Sequence, residues 1–227
     1  MGDGPNYLER VAFPDTLLAR VCEGRVRSRL HGYDVEADLA RHYSFAETIV
    51  LALTGVAPSA EQGRAAEAAF VFWLPSFVGE APTHVAVLAN VCSTPTSGTV
   101  AASAVTLSEQ SRWVVSQHHD LLTWLERPST EYPVAHQSTD EVDREAVLRL
   151  QAAVGAFAGE VVALRHRPTR TAAVLATLWA VGLNSAQHLE VALTIARLPG
   201  TLAEGLAGTR GKLKEYPMNV PRFAYHE

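Results

Sequence analysis

The sequence predicts an all-α fold, and three observations carry that reading. Hydrophobic residues make up 48% of the 227 residues while aromatics contribute only 7%. An Ala- and Leu-rich interior of that kind suits close-packed helices more than sheets. Strand signals are weak, with no Asn-Gly hairpin and few alternating runs. Capping boxes recur instead: Ser44 with Glu47, Ser59 with Gln62 and Ser138 with Glu141 each precede an apolar stretch.

Taken in order, residues 1–30 read as an irregular arm and an Arg-rich segment from Arg20 to Arg29, with a strand or hairpin near Leu17–Leu30. Gly32 to Pro58 then organises the chain as a short helix, a turn and a buried helix from Ser44 through Thr54. Phe45, Ile49, Leu51 and Leu53 leave that helix almost no polar face, so cover on most sides is expected. Gly55 supplies a left-handed stop and Pro58 prevents continuation. Residues 60–74 form an Ala-rich helix ended by Pro75, and Glu80-Ala81-Pro82 starts another through Val91. Ser93–Gly98 is a break, and Thr99–Leu107 is a helix of small apolar residues.

Asp120 to Glu126 turns Leu121, Leu122 and Trp124 toward a core, and Arg127–Gln137 is a loop with two prolines. The helix opened at Ser138 extends toward Leu164. Thr171–Val181 is strongly apolar and ends at Gly182, and His188–Ala196 ends at Pro199-Gly200. From Lys212 onward an extended tail is expected.

Composition excludes several functions. The net charge of −5 argues against a nucleic-acid footprint. Lysine occurs only at Lys212 and Lys214, and the arginine excess reads as coding bias. Cys22 and Cys92 give neither a disulfide framework nor metal-ligand spacing. No segment approaches the roughly 18 unbroken apolar residues of a membrane span. The opening residues MGDGPNYLERVAF lack the basic and apolar regions of a signal peptide, so a soluble, cytoplasmic protein is expected.

Three groups of residues, in order along the chain, carry a family resemblance. The first is Gly32-Tyr33-Asp34 followed by Ser44-Phe45-x-Glu47 and Leu51-x-x-Thr54-Gly55-x-x-Pro58. The second is Gly182 with Ala196-Arg197-Leu198-Pro199-Gly200, and the third is Val220-Pro221-Arg222-Phe223-Ala224-Tyr225. Together they resemble the citrate synthases and the shorter citryl-CoA lyases. The resemblance implies a citrate synthase-like large domain over 1–227 with a reduced small domain, 127–165 being its remnant or replacement. It also implies a dimer paired through antiparallel helices, either a homodimer or a heteromer with a citrate synthase-like subunit. The Val85–Val91, Thr99–Leu107 and Thr171–Val181 helices are the expected interface. No resident cofactor is implied beyond a coenzyme A thioester as ligand.

That family's chemistry uses an aspartate base and two histidine donors, with arginines holding substrate carboxylates. At the matching places this chain has Thr171 for the aspartate, Arg112 and Trp113 in a His-Gly turn, and Phe77-Val78-Gly79 for an Asp-His pair. Ala203-Glu204 stands for a further Ala-His. The acid–base positions have changed together. The replacement groups are His118, His119 and Asp120, adjacent residues that also read as polar groups at a helix start. Neighbours on a helix diverge by about 100°, so both histidines cannot enter one site. Arg112, Arg165, Arg170, Arg197 and Arg222 are the candidate substrate-binding residues for a small anionic ligand; no metal is expected. Two function classes follow: a diverged enzyme with altered acyl-CoA condensation or lyase-type carbon–carbon chemistry, or a non-catalytic pseudoenzyme serving as partner subunit or ligand-binding module.

Overall fold

The structure is a computed structural model that describes residues 20–23 and 27–207. It divides between Ser44 and Phe45 into two compact units. Arg222 and the expected tail from Lys212 lie outside the described residues.

The first unit is a small antiparallel sheet in the order β1 (Val21–Glu23), β2 (Ser28–Leu30), β3 (Tyr33–Asp34). Leu30 pairs with Tyr33 across a two-residue turn, His31 at φ 47 and Gly32 at φ 90. Two successive positive φ values define the mirror-image turn that matches strand twist, so His-Gly does here what Asn-Gly does elsewhere. The short helix expected next is a π-helix over Val35–Leu39, continued by α1 (Ala40–His42). Asp34 caps it, its Oδ1 accepting from the Glu36 and Ala37 N–H groups at 3.1 and 2.8 Å.

Among its described residues the second unit is mainly helical. It contains α2 (Phe45–Thr54), α3 (Ala60–Trp73), α4 (Ala81–Val91), α5 (Thr96–Gln117), α6 (His119–Glu126), α7 (Glu141–Val154), α8 (Arg170–Ala180) and α9 (Ala186–Ala207). Its centre is α8, in which every residue from Ala172 to Leu178 is buried. A helix apolar on all sides must be surrounded, and α3, α6, α7 and α9 pack about it. That corrects the expected interface: the surface of α8 is used up inside its own subunit. The Ser59–Gln62 capping box forms as expected, with bonds of 2.9 and 3.2 Å. Gly55 takes the left-handed stop at φ 78. Only half of α2 matches the expected burial, because Leu51 is fully buried whereas Phe45 is 77% exposed.

Three element boundaries differ from expectation, each for a packing reason. The helix expected over Thr99–Leu107 begins at Thr96 and runs without a turn to Gln117. Leu107, Ser111, Val114 and Val115 continue one buried stripe and no breaker intervenes. The helix expected to open at Ser138 and extend toward Leu164 is capped instead by Asp140, whose Oδ1 accepts the Val142 N–H at 2.9 Å, and stops at Val154. Gly155 at φ 58 breaks it, and two 3₁₀ turns, Gly155–Gly159 and Val162–His166, follow. The last helix does not end at Pro199-Gly200 but continues to Ala207. Proline removes one internal bond there, yet Leu193 and Ala196 before it and Thr201 and Gly205 after it are buried on the same helix, so packing holds the helix together.

That packing is close. α4, α5 and α9 meet through small residues, and a Cβ on Gly205 would come within 2.6 Å of the Ala86 Cβ. A Cβ on Gly200 would lie 2.7 Å from the backbone oxygen of Leu74. A Gly200→Val substitution is therefore expected to lower stability by about 1–3 kcal/mol, since backbone cannot yield as a side-chain tip does. Its helix-propensity gain of a few tenths of a kcal/mol is too small to offset this. A urea unfolding curve checks the shift.

Candidate functional site

The last four carbonyls of any α-helix lack internal partners and carry partial negative charge. At the end of α3, two arginines supply the missing donors. Arg170, the first residue of α8, donates from Nη2 to the Phe72 oxygen at 3.0 Å. Arg197, on α9, donates from Nε to the Trp73 oxygen at 3.2 Å and from Nη2 to the Pro75 oxygen at 2.8 Å. Each guanidinium also lies over a ring, Arg170 5.3 Å from the Phe72 centroid and Arg197 4.8 Å from that of Trp73.

Arg197 has no donor left over. Its Nη1 binds Glu80 Oε2 at 2.6 Å and Gln110 Oε1 at 3.1 Å, and its Nη2 also reaches Glu80 Oε1 at 3.3 Å. With Nε on Trp73, all five N–H groups of the fork are occupied. The pair is partly buried, the side chains being 13% and 25% exposed. Burial alone would push the Glu80 carboxyl up. Hydrogen bonds from Gln110, Arg197 and the Phe77 N–H outweigh that and hold it below the usual carboxylate range. The expected substrate arginine on α9 is thus a brace between α9, α5 and the 74–80 loop.

Between these elements lies a cleft of about 210 Å³ lined by Phe72, Trp73, Pro75, Phe77, Arg170, Thr171 and Arg197. It gathers three positions singled out from the sequence: Arg170, Arg197 and Thr171. Arg170 is exposed, and its Nε and Nη1 have no acceptor among the described residues. Thr169 caps α8, its Oγ1 accepting the Ala172 N–H at 3.2 Å, which fixes where Arg170 and Thr171 emerge. Among the described residues no carboxylate or imidazole lines this cleft. It offers positive charge, a hydroxyl and aromatic walls, which suits holding an anion and provides no general base.

The expected acid–base residues assemble elsewhere, around a partner not foreseen. Asp120 Oδ1 meets His136 Nε2 at 2.5 Å. The His118 ring stacks on His136, centroids 4.5 Å apart at 22°. His118 Nδ1 lies 2.7 Å from the Val114 carbonyl, which can only accept; the neutral ring therefore carries its proton on Nδ1 and leaves Nε2 basic. Desolvation holds the His118 pKa down, aided by the neighbouring His136. Burial would raise the Asp120 carboxyl, but the His136 hydrogen bond and charge prevail and lower it. Tyr132 is buried close by with no partner for its hydroxyl among the described residues, and burial pushes its pKa up. His119 points away, exposed, as the helical divergence requires.

The remaining positions do not join either group. Arg112 was expected in a turn but sits on the outer face of α5, 66% exposed and paired with Glu109 at 2.6 Å. Trp113 beside it is 63% exposed. Arg165 donates to the Gly159 oxygen at 3.0 Å. His136, Glu80, Phe72 and Trp73 escaped the sequence reading. Their partners lie 16 to 124 residues away in the chain, so no local spacing announces them. Among the described residues no group of three His, Cys, Asp or Glu side chains is placed to hold a metal, and no helix is long and apolar enough to cross a membrane.

Against known proteins, no family model matches the sequence, and no curated protein matches it. Among solved structures, the chain is similar to citryl-CoA lyase from Hydrogenobacter thermophilus, with a TM-score of 0.60 at 16% sequence identity. The likeness covers 93% of this chain and 98% of that one. The fold is therefore the all-α citrate synthase-like fold.

Proposed function

We propose that this chain binds a carboxylate-bearing ligand, a polycarboxylate or the acyl end of a coenzyme A thioester, in the cleft lined by Arg170 and Thr171, without citrate synthase-type turnover. The carrying observation is the cleft's composition: an exposed guanidinium with unused donors, a hydroxyl and aromatic walls, with no side chain among the described lining residues able to take a proton from carbon. The fold likeness to a citryl-CoA lyase supports the ligand class. In this reading the chain is a ligand-binding module or a partner subunit in the cytoplasm. A thermal-shift panel of di- and tricarboxylates and acyl-CoA thioesters tests it, because a ligand bound only by the folded state raises the midpoint. At least one polycarboxylate or thioester is expected to do so; a panel with no shift contradicts the proposal.

Assembly belongs to the same reading. The outer face of α5 leaves Val105 65% and Trp113 63% exposed, and Leu88 on α4 is 39% exposed. Large apolar side chains in such number suit a subunit interface, either between two copies or with a citrate synthase-like subunit. Light scattering of the purified chain is expected to give a dimer at low micromolar concentration; a stable monomer removes the homodimer.

A second reading rests on the Asp120–His136 contact. Asp120 orients one imidazole, and stacked His118 presents a basic Nε2, an arrangement able to move a proton. That would make the chain a diverged enzyme with a rebuilt site. It requires turnover that disappears on His118→Ala or His136→Ala.

A further inference from the structure

A second cavity, sharing no lining residue with the Arg170 cleft, lies between α7 and the 162–168 segment. Its volume is about 230 Å³. The apolar wall consists of Val147, Leu148, Leu164 and Pro168, and two guanidinium residues, Arg144 and Arg167, stand among the polar ones. Val147 and Leu164 are 6% exposed, whereas Leu148 keeps 54% of its surface open.

Arg167 is the distinctive group. It adopts the left-handed conformation at φ 54, ψ 55, which a side-chain-bearing residue enters at a cost that glycine escapes. The surroundings hold it there: the Ser138 N–H donates to the Arg167 oxygen at 3.0 Å, and Gln137 pairs with Pro168 in a β-bridge. Its exposed guanidinium has no acceptor among the described residues. Among the described residues Arg144 is paired only with Glu141, at 3.3 Å with both side chains more than 60% exposed. An exposed pair of that kind is worth little and exchanges readily for another carboxylate.

We propose that this cavity is a binding site for a short-chain carboxylate, its head on Arg167 and Arg144 and its hydrocarbon tail along Val147, Leu148 and Leu164. Guanidinium forks match a planar carboxylate in two parallel bonds. The volume falls below the roughly 300–1,000 Å³ typical of drug-sized ligands, and no aromatic ring lines it for a base to stack on. A tail of a few carbons fits those limits, and its burial against Leu148 supplies the apolar part of the affinity.

The test is methyl-resolved NMR of the full chain, following Val147, Leu148 and Leu164 during titration with acetate, butyrate, hexanoate, 1-hexanol and hexylamine. Each methylene from acetate to hexanoate is expected to tighten binding about fourfold. Hexylamine should leave the three methyl signals unmoved, and 1-hexanol should bind more weakly than hexanoate. Arg167→Gln should weaken hexanoate about tenfold or more while leaving 1-hexanol unchanged. Arg167→Gly repeats that loss on a backbone glycine adopts without strain, so misfolding cannot account for it. The proposal is overturned if no carboxylate shifts these methyls saturably, if hexylamine binds as well as hexanoate, or if hexanoate binds both Arg167 variants as tightly as the wild type.

Discussion

Glu80→Ala is expected to cost about 2–3 kcal/mol, because it leaves a partly buried guanidinium without its counter-charge. Arg197 is 13% exposed, and with Glu80 it ties α9 and α5 to the loop entering α4. The contrast is Arg112→Ala, which removes an ion pair with both partners more than 60% exposed and should cost about 1 kcal/mol or less. Stability should also depend on acid. The Glu80 carboxyl is held below its ordinary value of 4.5, so the unfolded chain takes up that proton first. Its contribution is therefore fully present above about pH 4.5 and is lost as pH falls through the folded-state value. Urea midpoints measured across that range should drop for the wild type, and Glu80→Gln should flatten the drop. An unchanged midpoint in Glu80→Ala would show that the brace does not hold the fold.

Citrate synthase and citryl-CoA lyase assays on the purified chain are expected to read background. Loss of a single acid–base group commonly costs about 10²–10⁴ in rate, and groups acting as one unit fail together. Here Thr171 stands in the expected base position, and a threonine hydroxyl is not ionised near neutral pH without a helper. The cleft it lines contains no carboxylate or imidazole among the described residues. Arg112, where the resemblance leads one to expect a histidine, is a permanent cation on an outer helix face. Turnover of acetyl-CoA with oxaloacetate, or cleavage of citryl-CoA, at about 1 s⁻¹ or faster would defeat this. If such turnover also vanished on His118→Ala or His136→Ala, the rebuilt site would be established instead.

The helices were legible because their signals are local. Ser59 and Gln62 sit three residues apart and cap α3, and the apolar run after Arg170 is long enough to require burial on every side. Boundaries set by tertiary contact were not legible. Pro199 reads as a stop, yet α9 passes through it because residues on both sides of it are buried along the same helix. Arg112 reads as a turn residue only if the chain bends there, and the buried stripe from Leu107 to Val115 keeps it straight. The site was half legible. Arg170, Thr171 and Arg197 were singled out and do share a cleft, but that Arg197 is spent on Glu80 depends on a pairing 117 residues apart. His118 and Asp120 were named together with His119. Only the fold reveals that His136, rather than His119, completes the group.

Binding at the Arg170 cleft is tested most directly by calorimetric titration of citrate, oxaloacetate and acetyl-CoA into the wild type and into Arg170→Ala. At least one ligand should bind the wild type saturably, and the substitution should weaken it about tenfold or more, the usual range for hydrogen bonds to a charged group. The urea midpoint of the variant should show the fold intact, because Arg170 is exposed and makes only one bond to the end of α3. Equal affinity for both proteins, or no saturable heat from any of the three ligands, would contradict an anion site at this cleft.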